Sequence, residues 1–375
     1  MPTDERYDIL SMKSKEFLPR KNLMAGFPTM RCLMKRYNRR HFLRLSLRAL
    51  LGLGLGAVLP APLVRAAQAD WPLRLPVGEQ AEALPPERPL RLLVFTDSQC
   101  GGAYDVWAET FRAARSRFAA PDAFTVLGDL VDNGAADWQW QAWYDAMDGH
   151  AADALFLPVM GNHECYGEQW LSVLPAGYLA RFPLPGNGRP EFQGYYYAYD
   201  CGPVHFLVLN TQWGELEALR PGLIAAQRAF LHADAARRDR RRPWQVVLMH
   251  KDVLAYDEVQ PDGTSGGFSE VGRVFMKDFD ALGIDLVLTG HMHAYRDRGH
   301  LKGFRPSEAG PVYVMCGRAG NEYYAVPASP LDRVAAPDDH VTSYVTLRAD
   351  TAALTLEAWT TGGARLDHLT LTKGE

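Results

Sequence analysis

The stretch LPVMGNHE, residues 157–164, decides the fold. A short apolar run ends abruptly in Gly-Asn-His-Glu, which is typical of a buried strand with polar side chains at its carboxyl end. Open α/β sheets bind their ligands at that edge. There Asn162 offers an amide oxygen suited to a hard cation, and His163 offers an imidazole that moves a proton. Taken alone, the stretch also fits an ordinary strand-to-helix turn capped by Asn162.

Similar strand ends recur along the chain and argue against an ordinary turn. Apolar runs at residues 90–96 and 123–127 end in DSQ and GDLVDNG, and the three motifs lie 32 and 33 residues apart. That spacing fits two βαβ crossovers, whose right-handed connections align the strand exits along one edge. Two later runs end in HK and GHMH. The polar residues at these exits are Asp97, Gln99, Asp129, Asn162, His163, His250, His291 and His293.

The donor types at these exits predict a metal centre. They combine carboxylate, amide and imidazole groups and include no thiolate, a mixture that suits Mn, Fe or Zn. Eight candidates are too many for one ion. Two divalent or trivalent ions about 3.5–4 Å apart, bridged by a carboxylate, would use them economically.

The order of the motifs resembles the calcineurin-like metallophosphoesterase superfamily, which includes the purple acid phosphatases. The motifs are Asp-x-Gln, Gly-Asp-x-x-Asp-Asn-Gly, Gly-Asn-His-Glu, a strand ending in His, and Gly-His-x-His. The resemblance covers residues 90–375 and implies an α/β fold. Specifically, it implies a two-sheet α/β/β/α metallophosphoesterase sandwich with a binuclear metal site at the strand carboxyl ends. The implied substrate is a phosphate ester.

Carried over residue by residue, the resemblance implies a role for each strand-exit side chain. It assigns to one metal ion Asp97, Gln99, Asp129 and His293. It assigns to the other Asp129, Asn162, His250 and His291, so that Asp129 bridges the two. His163 becomes the catalytic group that contacts the phosphate and protonates the leaving oxygen.

Two positions depart from the family pattern. The first motif usually carries His where this chain has Gln99, and an amide oxygen is a weaker ligand. Purple acid phosphatases place Tyr where this chain has Asp132, which argues against their Fe(III) chemistry here. We interpret Asp132 as a carboxylate that orients a metal ligand.

Further polar residues near the motifs are candidates for supporting roles. Those inside the motifs are Asn133 and Glu164. Those placed to contact the other oxygens of the substrate are Lys251, Tyr295, Arg296 and Arg318. Surface salt bridges are the alternative role for this second set.

The N-terminal segment, residues 1–69, predicts export. NRRHFLR at residues 38–44 precedes an apolar, Gly-rich run and then AQA, a small-x-small cleavage site. This resembles a bacterial twin-arginine signal peptide. It implies the twin-arginine translocase as a partner and a periplasmic or secreted protein. An uncleaved membrane anchor is the alternative. Residues 70–89 form a Pro-rich lead-in arm, and residues 90–375 form the metallophosphoesterase domain with no stable membrane span.

Net charge argues against some classes of binding partner, and cysteine spacing argues against one kind of metal site. Residues 70–375 hold 27 basic and 40 acidic residues, a net charge of −13 that is a poor footprint for nucleic acid or an anionic membrane. The sequence contains no CxxC spacing and so gives no sign of a zinc site built from cysteines. The cysteines after the signal, which allow up to two disulfides without fixing their pairing, are Cys100, Cys165, Cys201 and Cys316.

The remaining segments give local predictions. Residues 168–182 are a predicted helix, and residues 195–200 with 204–209 a predicted hairpin. Ser269 is the predicted cap of a helix that runs to residue 282. Two or three alternating strands in the tail, at residues 344–347, 353–359 and 366–371, are predicted to end a second sheet.

Three hypotheses for function follow. The leading one is an exported metal-dependent phosphoesterase that hydrolyses a phosphomonoester or phosphodiester with a metal-activated hydroxide. The second is a catalytically weakened phosphate- or metal-binding protein of the cell envelope with the same fold, in which Gln99 marks an incomplete site. The third is a structural envelope protein held by its apolar N-terminal run.

Overall fold

Two mixed β-sheets flanked by helices make up the structure, a computed structural model, and confirm the predicted sandwich. It describes residues 73–77, 84–167, 169–186, 188–256, 258, 263, 266–336 and 342–373. The signal predicted in residues 1–69 lies outside the described residues.

The strands are β1 (Leu90–Phe95), β2 (Ala123–Val126), β3 (Leu155–Pro158), β4 (Tyr197–Cys201), β5 (Val204–Val208), β6 (Trp244–Leu248), β7 (Leu286–Thr289), β8 (Tyr295–His300), β9 (Val312–Cys316), β10 (Val334–Ala335), β11 (Ser343–Ala349), β12 (Ala353–Thr360) and β13 (Arg365–Thr372). The helices are α1 (Asp105–Arg117), α2 (Asp137–Asp145), α3 (Ala176–Arg181), α4 (Trp213–Leu216), α5 (Leu223–Ala235) and α6 (Glu270–Leu282). Short 3₁₀ turns cover His163–Cys165 and Pro190–Phe192.

The first sheet has the order β13-β12-β11-β1-β2-β3. Strands β1, β2 and β3 are parallel, and every residue of β2 and β3 is buried, as expected for a sheet covered on both faces. Helix α1 connects β1 to β2 and buries Trp107, Phe111 and Ala114 at helical spacing. The ring of Trp107 meets Phe95 of β1 edge-on, with 5.0 Å between centroids. These crossovers bring the first three strand exits to one edge.

The second sheet has the order β10-β8-β9-β7-β6-β5-β4. Strands β5, β6, β7 and β9 are parallel, so His250 and His291 follow neighbouring carboxyl ends. The predicted hairpin is confirmed as β4 and β5, which pair antiparallel. Ser269 caps α6 as predicted, since its Oγ accepts a hydrogen bond from the N–H of Gly272.

The prediction that the tail ends the second sheet is wrong. Strand β11 pairs antiparallel with β1, with Leu90 opposite Ala349, and β12 and β13 extend the first sheet from there. Alternation of polar and apolar residues shows that a strand is half-buried, but it does not identify the open edge that the strand will join.

The predicted helix at residues 168–182 is also mostly wrong, because α3 begins only at Ala176. Ahead of it, Tyr166 forms an antiparallel bridge with Ser172, and Pro175 lies immediately before the helix. Strand β8, with the sequence YRDRGH, was not predicted at all. Its charges are paired in the interior; Arg298, for example, donates to Asp252 Oδ1 at 2.9 Å.

The cysteine prediction is settled within the described residues. The four cysteines at positions 100, 165, 201 and 316 are buried free thiols, and none forms a disulfide. Burial raises the pKa of Cys100 to about 11. In this state the thiols behave as small core side chains rather than as nucleophiles.

His205 joins the β4–β5 hairpin to α5 and predicts a pH-dependent stability. Its Nδ1 lies 2.7 Å from Asp200 Oδ1 and its Nε2 2.7 Å from Asp234 Oδ2, while Arg242 lies 3.2 Å from Asp200. Burial lowers the pKa of His205, but hydrogen bonds to both carboxylates outweigh burial and raise it to about 9. The stabilisation is therefore complete below the unfolded pKa of roughly 6.5 and is lost as pH rises through about 9.

We expect the free energy of unfolding of the native protein, relative to a His205→Gln variant, to fall by up to roughly 3 kcal/mol between pH 6 and 10. Urea denaturation of both proteins across this range measures the difference, and groups common to both cancel. Parallel stability curves would mean that folding leaves the pKa of His205 unchanged.

Candidate metal centre

The strand exits converge on two groups of ligand atoms that share Asp129. Asp129, His250 and His291 form one group, and Asp97, Asp129 and His293 form the other; within each, the ligand atoms lie within 4.8 Å of one another. The two predicted amide ligands join them. Asn162 Oδ1 lies 3.0 Å from His250 Nε2, and the Gln99 amide lies 3.4 Å from His293 Nε2. The structure thus brings all seven predicted metal ligands together.

The first group consists of acceptors that face one another. His250 Nδ1 donates to the carbonyl of Leu127 at 2.8 Å, so Nε2 is the ring nitrogen that faces the site and would offer its lone pair to a cation. That atom lies 3.1 Å from Asp129 Oδ2 and 3.1 Å from His291 Nδ1. Burial lowers the pKa of His250, but the charge and hydrogen bond of Asp129, the charge of Asp97 and the Leu127 carbonyl together raise it to about 9. The site therefore attracts positive charge, and this donor set fits a divalent cation.

The second group repeats the arrangement around Asp97. His293 Nδ1 donates to the carbonyl of Glu322 at 2.9 Å, and its Nε2 lies 3.3 Å from Asp97 Oδ1. The Gln99 amide is best satisfied with its nitrogen donating to the carbonyls of Asp129 at 2.9 Å and Asp97 at 3.3 Å. This orientation turns its oxygen toward His293, where it can act as a ligand. The residues present therefore fit two cations bridged by Asp129.

Replacement of Gln99 tests its role as a weak ligand. We expect Gln99→His to raise affinity for the ion that Asp97 holds, because imidazole binds Mn, Fe and Zn more strongly than an amide oxygen does. Isothermal titration with Zn²⁺ or Mn²⁺ on stripped protein measures the change. A titration identical to that of the native protein would show that Gln99 is not a metal ligand and only donates hydrogen bonds to the carbonyls of Asp97 and Asp129.

Close backbone approach gives the centre its geometry. Asp97, Asp129, His291 and His293 all adopt positive φ angles, of 52°, 52°, 76° and 54°. Such conformations are strained for non-glycine residues and concentrate at functional sites. Gly161 passes so close to the Asp129 carboxylate that a Cβ there would collide with it. A side chain at this position would displace the bridging ligand.

His163 stands beside the ligands with its ring orientation fixed. Its Nδ1 donates to the carbonyl of Asp132 at 2.7 Å, which leaves Nε2 facing the site, 3.8 Å from Asp129 Oδ2. Its backbone N–H also donates to Asp129 Oδ1 at 2.9 Å. Burial lowers the pKa of His163, but the Asp129 carboxylate, the hydrogen bond to the Asp132 carbonyl and the charges of Glu164 and Asp132 together raise it above the ordinary value. An imidazole held in this way is suited to deliver a proton from Nε2.

Glu164 positions the strand exits and does not reach a substrate. Its carboxylate accepts hydrogen bonds from the backbone N–H groups of Asp129 at 2.9 Å, Leu130 at 2.8 Å and Gly161 at 2.7 Å. Burial, together with the charge of Asp129, raises its pKa to about 7. Asn133 has a similar supporting role, since its side chain donates to the carbonyl of Gly167. Both residues link the exit of β2 to the loop that follows β3.

The predicted role of the Asp132 carboxylate is wrong in detail. The carboxylate accepts from the N–H of Gly101 at 2.9 Å and from the hydroxyl of Tyr104 at 3.4 Å, and so fastens the loop after β1. The backbone carbonyl of Asp132, rather than its side chain, orients His163. Among these contacts, Asp132 orients the proposed proton donor and a loop, and not one of the predicted metal ligands.

The tyrosines near the centre predict a colourless protein. The Tyr104 hydroxyl is directed to Asp132, and Tyr295 donates to Asp367 at 2.8 Å. We expect no intense visible band in the iron-loaded, oxidised protein, because that colour needs a phenolate bound to Fe(III). An absorption spectrum tests this. Tyr324, whose ring lies 4.4 Å from that of His293, is the residue to exchange for Phe if a band is seen.

The four residues predicted to contact the substrate have other partners. Lys251 pairs with Glu215 at 2.8 Å, although it also lines a cavity of about 190 Å³ beside His291. Arg296 donates to the carbonyls of Val326 and Ala336. Arg318 donates to the carbonyl of Glu322 at 2.7 Å, the same group that accepts from His293. Tyr295 donates to Asp367, as described. Buried polar groups need such partners, and this need accounts for these positions without a substrate.

Three aromatic residues at the site were not predicted as functional. The Tyr324 ring lies against that of His293 at an interplanar angle of 36°, and burial followed by the charges of Asp129 and Asp97 raises the pKa of Tyr324 to about 12. The rings of Tyr166 and Trp170 lie 5.6 and 5.7 Å from that of His163. Nearness in sequence to Gly-Asn-His-Glu was the only signal for Tyr166 and Trp170, and Tyr324 had none.

The chain belongs to the calcineurin-like phosphoesterase family, whose model matches residues 90–295. It is 27% identical over 187 residues to purple acid phosphatase 23 of Arabidopsis thaliana, a match that covers 49% of this chain and 38% of the relative. It is also 27% identical over 198 residues to the phosphoenolpyruvate phosphatase of Allium cepa, covering 49% of this chain and 39% of the relative. The chain therefore matches about two fifths of the length of each relative.

The fold is similar to that of a solved purple acid phosphatase from yellow lupin (Lupinus luteus) seeds. The TM-score is 0.60 and the sequence identity 19%, with 76% of this chain and 54% of that chain covered. At this identity the likeness concerns the fold.

Proposed function

We propose that the protein is a metal-dependent phosphoesterase that hydrolyses a phosphomonoester or phosphodiester. The observation that carries the proposal is the convergence of His250 Nε2, Asn162 Oδ1 and the shared Asp129 carboxylate, with the Nε2 of His163 beside them. Ligand atoms so close together suit cations, and the His163 imidazole adds a proton donor. Family membership and the names of the plant relatives support the reaction class.

The residues would divide the reaction as follows. Asp97, Gln99, Asp129 and His293 would hold one cation, and Asp129, Asn162, His250 and His291 the other. When bound, such cations supply Lewis-acid charge for the phosphate and lower the pKa of water. His163 donates its Nε2 proton to the leaving oxygen, while the Asp132 carbonyl keeps the ring in place. Glu164 keeps the ligand loops in register.

The test combines metal analysis with a substrate panel. Protein stripped with a chelator should lose hydrolysis of p-nitrophenyl phosphate and bis(p-nitrophenyl) phosphate, and added Mn²⁺, Zn²⁺ or Fe²⁺ should restore it. The ratio between the two substrates separates monoesterase from diesterase. Full turnover in protein shown to be free of metal would disprove the mechanism.

A second candidate is a phosphate- or metal-binding protein that has lost turnover. The observation in its favour is Gln99, whose amide nitrogen is occupied by two backbone carbonyls and whose oxygen is a weak ligand. In the same panel this candidate predicts retained metal and phosphate binding with no hydrolysis of any ester.

We further propose that the protein is exported by the twin-arginine route to the periplasm or beyond. The motif NRRHFLR and the run that follows it support this. No helix within the described ranges is both long and apolar enough to cross a bilayer. Fractionation of cells that express the native chain, compared with an Arg39→Lys/Arg40→Lys variant, tests the route. Unchanged export of the variant would contradict it.

A further inference from the structure

Exposed apolar side chains gather directly after the Gly-Asn-His-Glu motif. Trp170 is 58% exposed and Leu171 65% exposed, and both follow His163 within eight residues. Large apolar side chains are normally withdrawn from water, and a contiguous exposed group of them marks a binding surface. The Trp170 ring lies beside His163 at the metal centre. An apolar part of the substrate is therefore the expected contact of this exposed ring.

The chain holds Trp170 in place by a tight backbone hairpin. Tyr166 bridges Ser172, the N–H of Gly167 donates to the carbonyl of Leu171 at 2.9 Å, and the N–H of Trp170 donates to the carbonyl of Gly167 at 2.8 Å. Trp170 itself has a φ of 59°, a left-handed conformation that is unfavourable for a bulky residue. Strain of this kind persists where the surroundings enforce it, most often at functional sites.

The hairpin places its aromatic rings around the proposed proton donor. The Trp170 ring stands at 87° to that of His163, with 5.7 Å between centroids, and the Tyr166 ring stands at 74° and 5.6 Å. Tyr166 and Trp170 are 6.1 Å apart. If His163 protonates the leaving oxygen, the group attached to that oxygen must lie beside these rings.

We propose that Trp170 and Tyr166 form a subsite for a planar aromatic group on the leaving alcohol. The preferred substrates are then phosphate esters in which an aromatic ring lies a few bonds from the ester oxygen. Such a ring packs offset or edge-on against the exposed indole, whose backbone is fixed by the hydrogen bonds of the hairpin. This inference rests on the proposed function, since it uses His163 to locate the leaving group.

The test compares two alkyl esters. Because both leaving groups are alkoxides, each needs a proton from His163 to a similar degree. We expect the native protein to have a higher kcat/KM for 2-phenylethyl phosphate than for n-butyl phosphate. In Trp170→Ala and Trp170→Gly the ratio of these two constants should fall roughly 2- to 10-fold, the range for loss of one aromatic contact. Glycine suits the positive φ, so the second variant removes the ring without backbone strain. Trp170→Phe should keep part of the preference.

The matched control is Trp359→Ala. This tryptophan lies on β12 under the guanidinium groups of Arg117 and Arg365, and its removal should leave the ratio unchanged. An unchanged ratio in both Trp170 variants, or loss of the preference in Tyr324→Ala instead, would overturn the subsite.

A binding measurement separates this inference from the proposed function. Calorimetric titration of metal-loaded protein should show tighter binding of 3-phenylpropylphosphonate than of n-pentylphosphonate, and the difference should shrink in Trp170→Ala. If no ester is hydrolysed but this difference is found, the proposed function fails and the subsite stands. If esters are hydrolysed without such a difference, the subsite fails alone.

Discussion

Asp129→Asn should reduce kcat/KM by roughly 10²- to 10⁴-fold and lower the number of bound metal ions. Asp129 is the one carboxylate shared by both ligand groups, and its side chain is almost fully buried beside His250. Asn removes the negative charge that both ligand groups share, and each 1.4 kcal/mol of lost transition-state stabilisation corresponds to about tenfold in kcat/KM. Elemental analysis and steady-state kinetics on the same preparation measure both effects.

The control for this variant is Asp278→Asn. Asp278 is also a buried carboxylate, but it lies on α6 and pairs with Arg228 and His232. Its replacement should lower stability and leave metal content at the native level. If Asp129→Asn kept both its metal and its activity, the bridging role would have to pass to another ligand.

His163→Ala should slow esters with poor leaving groups by roughly 10²- to 10⁴-fold and esters with good leaving groups far less. The reason is the orientation of the ring, because the Asp132 carbonyl binds Nδ1 and only Nε2 can supply a proton to the substrate. An activated leaving group departs without that proton. Alkyl and p-nitrophenyl phosphates provide the two extremes for measurement.

His232→Ala provides the matched control. That histidine is half-exposed on α5, and its Nε2 lies 3.2 Å from Asp278 Oδ1. This variant should hydrolyse both substrates at the native rate. Equal losses on both substrates in His163→Ala would mean that the imidazole positions the phosphate and does not protonate the leaving group.

The meeting of the strand-exit residues could be predicted from strand order, whereas the family resemblance supplied the assignment of ligands to each metal ion. Asp97, Asp129 and Asn162 end consecutive parallel strands, so their meeting at one edge required only the βαβ spacing. In the second sheet, His250 and His291 likewise follow the carboxyl ends of neighbouring parallel strands. Gln99 was foreseen as a ligand, but the carbonyl contacts of its amide nitrogen were not, because they depend on the loop conformation.

The surroundings of the ligands did not follow from sequence because they depend on long-range pairing. Arg296 and Arg318 resemble phosphate-binding residues until the structure shows the carbonyls that they satisfy. Strand β8 lacks a hydrophobic pattern because its buried charges are neutralised by residues far along the chain. Tyr324 reaches His293 from a loop about 30 residues away, and no local pattern records such an approach.

The pairing of β1 with β11 has a consequence for how the chain acquires its shape. Strand β1 leads to Asp97, yet one of its two neighbours is a segment about 250 residues further along the chain. Contacts of such high sequence separation carry a large loop-closure entropy and slow the folding reaction. A ribosome must therefore release nearly the whole polypeptide before this strand has both neighbours. Until then its unpaired edge is open to aggregation, which makes the emerging chain a natural client for chaperones.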